Sequence, residues 1–210
     1  PERTLRESEL AAAIAAFDFS PLRSLFDGFH SVTGLQISIV RAEDRFLLAT
    51  PFARACAAFH RSSPATLALC DAAGRAAQVA DPEPGGPGYV EYRCPNGLRD
   101  IAVPLAAEGL RWGTLFVGQF LYDDDDAPEE ELLKRAEANG WDAEDYLAAM
   151  AEIPRLSRSR MAEILGFFDS VKEIAASLAA CAYKERQFAR RLREAGIEPE
   201  DQPSKREPAL

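Results

Sequence analysis

The chain has 210 residues, 47% hydrophobic and 28% charged, which suits one substantial core, since domains commonly run to roughly 100 to 200 residues, and leaves two cramped. Its formal net charge of -10 argues against a nucleic-acid surface on this segment, which would need a basic stripe to displace counterions, and against an anionic membrane as partner. No apolar run approaches the roughly 18 residues of a spanning helix and the start, PERTLRESEL, has neither a basic segment nor an apolar signal core, so a cytoplasmic protein is expected, and the Pro1 start reads as a segment of a longer one.

Leu5, Leu10, Ile14 and Phe17 recur at helical spacing and predict a first helix. Ser20 is expected to cap a second, with Pro21 at its first position, Leu22, Leu25, Phe26 and Phe29 on its buried face, and Gly34 closing it in a left-handed conformation. LQISIV (Leu35 to Val40) and RFLLA (Arg45 to Ala49) predict a hairpin around the polar Arg41 to Asp44. Pro51 opens a short helix carrying Phe52, Cys56 and Phe59, and another follows Pro64 through Leu67, Leu69 and Cys70. DPEPGGPG (Asp81 to Gly88) can only be loop. Three strands come next: Tyr89 to Arg93, Asp100 to Ala106, and Leu110 to Phe120, the last two joined by a tight turn at Ala107 to Gly109. Gly113 and Gly118 inside the last strand mark a bulge, a close approach to the backbone, or a simple bend.

The acidity is local. Tyr122 to Glu152 holds 12 acids against 2 bases, which equals the whole net charge of -10. It reads as a solvated loop and a helix start, because acids in a first turn complement the helix dipole. A calcium loop is disfavoured, since the carboxylates of Asp123 to Asp126 are contiguous and no Gly sits at the turn. Two short helices are predicted at Glu129 to Asn139, capped by Gly140, and at Ala143 to Met150, before Ile153-Pro154 breaks the chain. One long helix then runs from Ser157 to Ala195. Phe167, Val171, Ile174, Leu178, Cys181, Glu185, Phe188 and Leu192 follow a 4,3 spacing broken only by Glu185, so pairing with a second copy as a coiled coil is expected. Ile164, Leu165 and Phe168 would also pack on the domain. The resulting division is a domain at 1–156, a dimerising helix at 157–196, and a disordered linker at 197–210.

No GxSxG elbow, GxxxxGK loop, HExxH or dinucleotide fingerprint is present, which argues against an enzyme. Cys56, Cys70 and Cys94 fall in the globular part, and His60 lies four residues after Cys56, on the same helical face. Three thiolates with one imidazole would make a zinc site, and three thiolates could hold an iron-sulfur cluster. There is no CxxC knuckle, so three separate buried thiols are the simpler reading. Cys181 on the helix seam is read as a core residue and His30 on the second helix as a core or pocket histidine. Tyr92, Trp112, Phe116 and Phe120, with the Gln119 amide among them, could line a pocket that orients a small ligand.

The string YRCPNGLRDIAVPLAAEGLRWGTLFVGQF (Tyr92 to Phe120) resembles the PocR sensory domain: a Cys before an Asn-Gly-Leu turn, an Asp, a Val-Pro strand, and a strand ending in Gly-Gln. The resemblance covers about residues 8–182. It implies an α/β, PAS-like fold, with an antiparallel sheet flanked by helices, a ligand cavity, and a long C-terminal signalling helix. It further implies a sensory input module of prokaryotic signal-transduction or transcription regulators, which takes simple hydrocarbon derivatives such as small diols. By the same resemblance, Cys56, Cys70 and Cys94 occupy the family's cysteine positions, and Asn96, Gly97, Asp100, Gly118 and Gln119 match its motif. Asn96 joins the expected ligand residues on that ground. His60 is matched to no family position.

Overall fold

The computed structural model describes residues 2–16, 18–41, 45–126 and 128–197. Helices α1 (Glu2–Ala16) and α2 (Ser20–Thr33) lead into β1 (Gln36–Arg41) and β2 (Arg45–Ala49). A π-helical turn (Ala55–His60) and α3 (Pro64–Val79) separate these from β3 (Val90–Arg93), β4 (Arg99–Ala107) and β5 (Leu110–Tyr122). Then come α4 (Glu129–Asn139), α5 (Ala143–Ala151), the two-residue β6 (Arg155–Leu156) and α6 (Arg158–Glu194). The strands form one sheet in the order β2-β1-β5-β4-β3, antiparallel throughout, with β6 added in parallel at the end of β5. This is the PAS-like α/β arrangement that the resemblance implied.

The two faces of the sheet have different fates because side chains alternate along a strand. In β1, Ile37 and Ile39 face a core built from Leu10 and Ile14 of α1, Phe26 of α2, and Ile164, Phe168 and Val171 of α6. Ile101 and Val103 of β4 and Leu115 and Val117 of β5 complete it. The other face carries Val40, Ala102 and Phe116, and α3 with Ala77 lies over it. A third cluster, with Tyr146 and Leu132 at its centre, packs α4, α5 and the π-helical turn against Leu98, Leu121 and Ile153 at one end of the sheet.

Local signals placed most boundaries. Gly34 closes α2 with φ 71° and donates its N–H to the His30 carbonyl at 2.7 Å. Ser63 caps α3 by accepting from Thr66 N, and Ser157 caps α6 by accepting from Arg160 N. At α2 the expected cap is displaced: Ser20 is already helical, and Asp18 Oδ1 accepts its N–H at 3.0 Å. The helix expected after Pro51 is a π-helical turn, a widened geometry frequent at functional sites. Residues 42–44 of the expected hairpin turn and 198–210 of the expected linker lie outside the described residues.

α6 is buried along a stripe of its own: Met161, Ile164, Phe168, Val171, Ala175, Ala179, Ala182 and Tyr183 pack into the main core. α1 lies alongside, and Arg190 of α6 pairs with Glu9. The 4,3 seam read from the sequence is the neighbouring stripe. It shares Val171 with the core, and its Phe167 and Leu178 pack partly against it, while Ile174, Cys181 and Phe188 are exposed on the single chain. Among the described residues, no helix is long and apolar enough to cross a membrane.

The acidic segment is not all solvated. Asp125 is buried and holds Arg99 through two hydrogen bonds of 2.6 and 2.7 Å, while also accepting from Tyr122 N at 2.8 Å. Arg99 reaches Glu91 at 2.6 Å on its other side, so β3, β4 and the acidic loop share one guanidinium. Glu129 to Glu131 do fill the first turn of α4, as expected.

Candidate functional site

Two bulges in β5 decide what faces the site. Strict alternation would put Trp112, Phe116 and Phe120 on one face. The register with β4 slips twice, leaving Trp112 and Gln119 as extra residues opposite Leu105/Ala106 and Arg99/Asp100. Each slip reverses the alternation. Phe116 keeps the α3 face, whereas Trp112 and Phe120 turn into the main core, Trp112 stacked on Phe19 at 6.0 Å. Both residues are therefore corrected from pocket to core. Gln119 itself adopts φ 63°, a left-handed conformation that costs a non-Gly residue energy and is typically kept where function needs it.

On that face lies a cavity of about 240 Å3. Its floor is the sheet, with Gln36, Ser38 and Val40 of β1, Asp100 of β4, Tyr92 of β3 and Phe116 of β5. Its cover is the π-helical turn and α3, which contribute Cys56, His60, Cys70, Gly74, Arg75 and Gln78, with Phe46, Phe52 and Cys94 at the sides. Arg61 closes one edge, paired with Asp71 at 3.3 Å and lying 4.9 Å from the Phe52 ring centroid. Gln119 Oε1 accepts from Ala53 N at 2.6 Å, tying the cavity floor to the start of the π-helical turn.

Tyr92, Phe116 and Gln119 thus line the cavity as expected. Asn96 stands behind it, donating to Cys70 Sγ at 3.4 Å, while Arg135 donates to its carbonyl at 2.7 Å. Gln36, Ser38, Phe46, Phe52, Arg75 and Gln78 went unread in the sequence. For Gln36 and Ser38 a signal existed: they are the polar alternates in LQISIV, a strand whose other face is wholly apolar. The others come from elements whose orientation is set only by packing.

Cys56, Cys70 and Cys94, separated in sequence, open on this one cavity. Burial pushes all three thiols up, Cys94 to about 11, and the neighbouring Asp100 carboxyl adds to the effect on each. They are protonated thiols at neutral pH. Among the described residues, no three His, Cys, Asp or Glu side chains are grouped to hold a metal ion. His60 has no free nitrogen to offer as a ligand: Nε2 lies 2.9 Å from Tyr146 Oη and Nδ1 lies 3.7 Å from Cys56 Sγ. Burial, with Arg135 nearby, lowers its pKa to about 4, so the ring is neutral.

Asp100 shifts the opposite way. Burial pushes its carboxyl up to about 7, against a smaller lowering by the Gln119 N–H. His60 gains its proton more easily when unfolded (6.5 against about 4), so its contribution to stability declines as pH falls from 6.5 to 4. Asp100 holds its proton better when folded (about 7 against 3.8), so its contribution declines as pH rises through that window. Relative to wild type, the urea midpoint of Asp100→Asn is expected to rise more steeply between pH 4 and 6.5, and that of His60→Asn to fall. Parallel profiles for all three proteins would refute both assignments.

No curated protein and no solved structure matches the chain. A family model, described as the sensory domain found in PocR, matches residues 15–180, from the end of α1 to the middle of α6. That span contains the whole sheet, the cavity and the three thiols. The chain belongs to the PocR sensory domain family.

Proposed function

We propose that this chain is the ligand-reading input module of a prokaryotic signal-transduction or transcription regulator, and that occupancy of the cavity on the α3 face is passed to α6. The observation that carries the reading is the cavity itself, in which aromatic side chains meet polar groups converging from the sheet, the π-helical turn and α3, an arrangement that can both enclose and orient a small molecule. Its size suits a simple hydrocarbon derivative such as a small diol. The role is sensory, with binding in place of catalysis. The path to α6 is short: beyond Gln119, β5 continues into Leu121 and Tyr122, which pair with β6, and Ser157 then caps α6. A ligand that favours one arrangement of the Gln119 bulge would bias this junction. The exposed stripe at Ile174, Cys181 and Phe188 gives α6 a face for a second copy, so the signal would be read as a change in helix pairing.

A titration with small diols is expected to raise the melting temperature, and sedimentation to show a dimer that Phe188→Glu dissociates without lowering the monomer's stability. A melt indifferent to a panel of diols, alcohols and small acids, together with a monomer at all concentrations, would defeat the reading. The alternative, a thiol-based metal or redox sensor holding zinc or an iron-sulfur cluster, has in its favour the opening of Cys56, Cys70 and Cys94 on one cavity, and against it the lack of a coordinating group among the described residues. Elemental analysis and an absorption spectrum of anaerobically purified protein separate the two.

A further inference from the structure

A second cavity, of about 180 Å3, lies between α1 and the last turns of α6, on the side of the sheet opposite α3. Glu9 of α1 lines it on one side, and Tyr183, Arg186, Gln187, Arg190 and Arg193 of α6 on the other. The α6 residues follow one another at steps of three or four, so they share the row that faces α1. All six lie outside the stretch that the family model matches, so the cavity is no part of the family pattern.

Two donors on its wall are unsatisfied. Tyr183 is 5% exposed and packs into the main core, yet its Oη has no hydrogen-bond partner. Arg190 Nε is also buried and makes no hydrogen bond; the Glu194 carboxylate stands 3.6 Å away. Buried polar groups are almost always paired, so two orphans at one cavity point to an acceptor that comes from outside the chain. Glu9 does not fill that need: it pairs with Arg190 Nη1 and accepts from Gln187 Nε2 at 3.5 Å. No ion pair holds Arg186 or Arg193 among the described residues. Basic residues at a helix end complement its dipole, which accounts for Arg191 and Arg193 in the last turn of α6. It does not account for a buried phenol left without a partner.

Three guanidinium groups against the one carboxylate of Glu9 give the lining a surplus of positive charge. That surplus excludes a cation and calls for an oxyanion, whose lone pairs suit guanidinium forks and a phenol O–H. A carboxylate brings one charge and two oxygens, whereas a phosphate group brings nearly two charges and three free oxygens. The volume is below the roughly 300 Å3 at which ordinary ligand pockets begin, so a small head group fits and a large cofactor does not. We infer that this cavity is a second binding site, for a phosphate-class oxyanion, in which the bound anion ties α1 to the end of α6. The inference is independent of the reading of the α3 cavity.

Isothermal titration of the full chain at pH 7.5 and matched ionic strength tests it, with inorganic phosphate, glycerol 3-phosphate and acetate as probes. Both phosphates are expected to saturate one site with an affinity at least about tenfold above acetate. Tighter binding of inorganic phosphate would name the free ion as occupant, and tighter binding of the ester a small phosphorylated metabolite. Arg186→Gln and Arg193→Gln, at exposed positions that should leave the fold intact, are each expected to weaken phosphate about tenfold. Tyr183→Phe removes only the unpaired hydroxyl, so the phosphate-free chain should melt no lower than wild type, while phosphate binding weakens about threefold or more. Acetate binding as tightly as phosphate, no saturable binding of either phosphate, or unchanged affinity in all three variants would overturn the site. A phosphate-free Tyr183→Phe chain that melts lower would show the hydroxyl already satisfied within the protein, and would overturn it as well.

Discussion

Gly118→Ala should unfold in urea at a midpoint corresponding to a loss of about 2–3 kcal/mol, the upper part of the usual range for overpacking. The added methyl has nowhere to go, because the Asp100 carboxyl and Cα already occupy its position. Either the carboxyl swings off the cavity floor or β4 and β5 separate where their register slips at Gln119. The double variant Gly118→Ala/Asp100→Ala is expected to recover about 1 kcal/mol or more relative to the sum of the single changes, since it removes the carboxyl overlap and leaves the backbone contact. Strict additivity would mean that Gly118 is needed for some reason unrelated to Asp100.

Asp125→Asn is expected to cost about 2 kcal/mol at pH 7. Its side chain is 6% exposed and that of Arg99 20%, so the pair is well shielded from water and exceeds the usual small worth of a surface bridge. The Arg99 guanidinium, first of all, with the Tyr122 N–H behind it, lowers the Asp125 pKa from 3.8 to about 2. A depressed carboxylate contributes fully above its unfolded value and loses that contribution as pH falls toward the folded one. The gap between wild type and Asp125→Asn should therefore stay constant down to about pH 4 and close by about pH 2. A gap that persists at pH 2 would assign the loss to packing and not to charge.

Legibility followed the range of the interactions. Gly34, Ser63, Ser157 and Gly140 act on their own turns, and the helices and strands they bound lie where local spacing placed them. Ser20 failed as a cap because the helix starts at Ser20 itself, whose own N–H is taken by the Asp18 carboxylate two residues earlier. Glycine inside β5 hinted at a bulge, yet the slips fall at Trp112 and Gln119, beside Gly113 and Gly118. A bulge is a property of two strands, and nothing in β5 alone says where β4 will slip. That is why Phe116 could be read correctly while Trp112 and Phe120, four residues either side, could not.

By itself, the chain's order of residues determined the elements apart from β6 and the π-helical turn, the confinement of its -10 charge to Tyr122 to Glu152, and the resemblance to its family around Tyr92 to Phe120, all features contained in short segments. Only the tertiary structure decided which stripe of α6 is buried and which stays exposed on the single chain, because α1 and the sheet choose between two adjacent apolar rows. It alone brought Cys56, Cys70 and Cys94 to one cavity, and it engaged His60 with Tyr146, 86 residues away. It also turned Asp125, one acid in a run that looked uniformly solvated, into the buried partner of Arg99. These outcomes depend on contacts between distant segments, whose energies exist only once the sheet has brought them together.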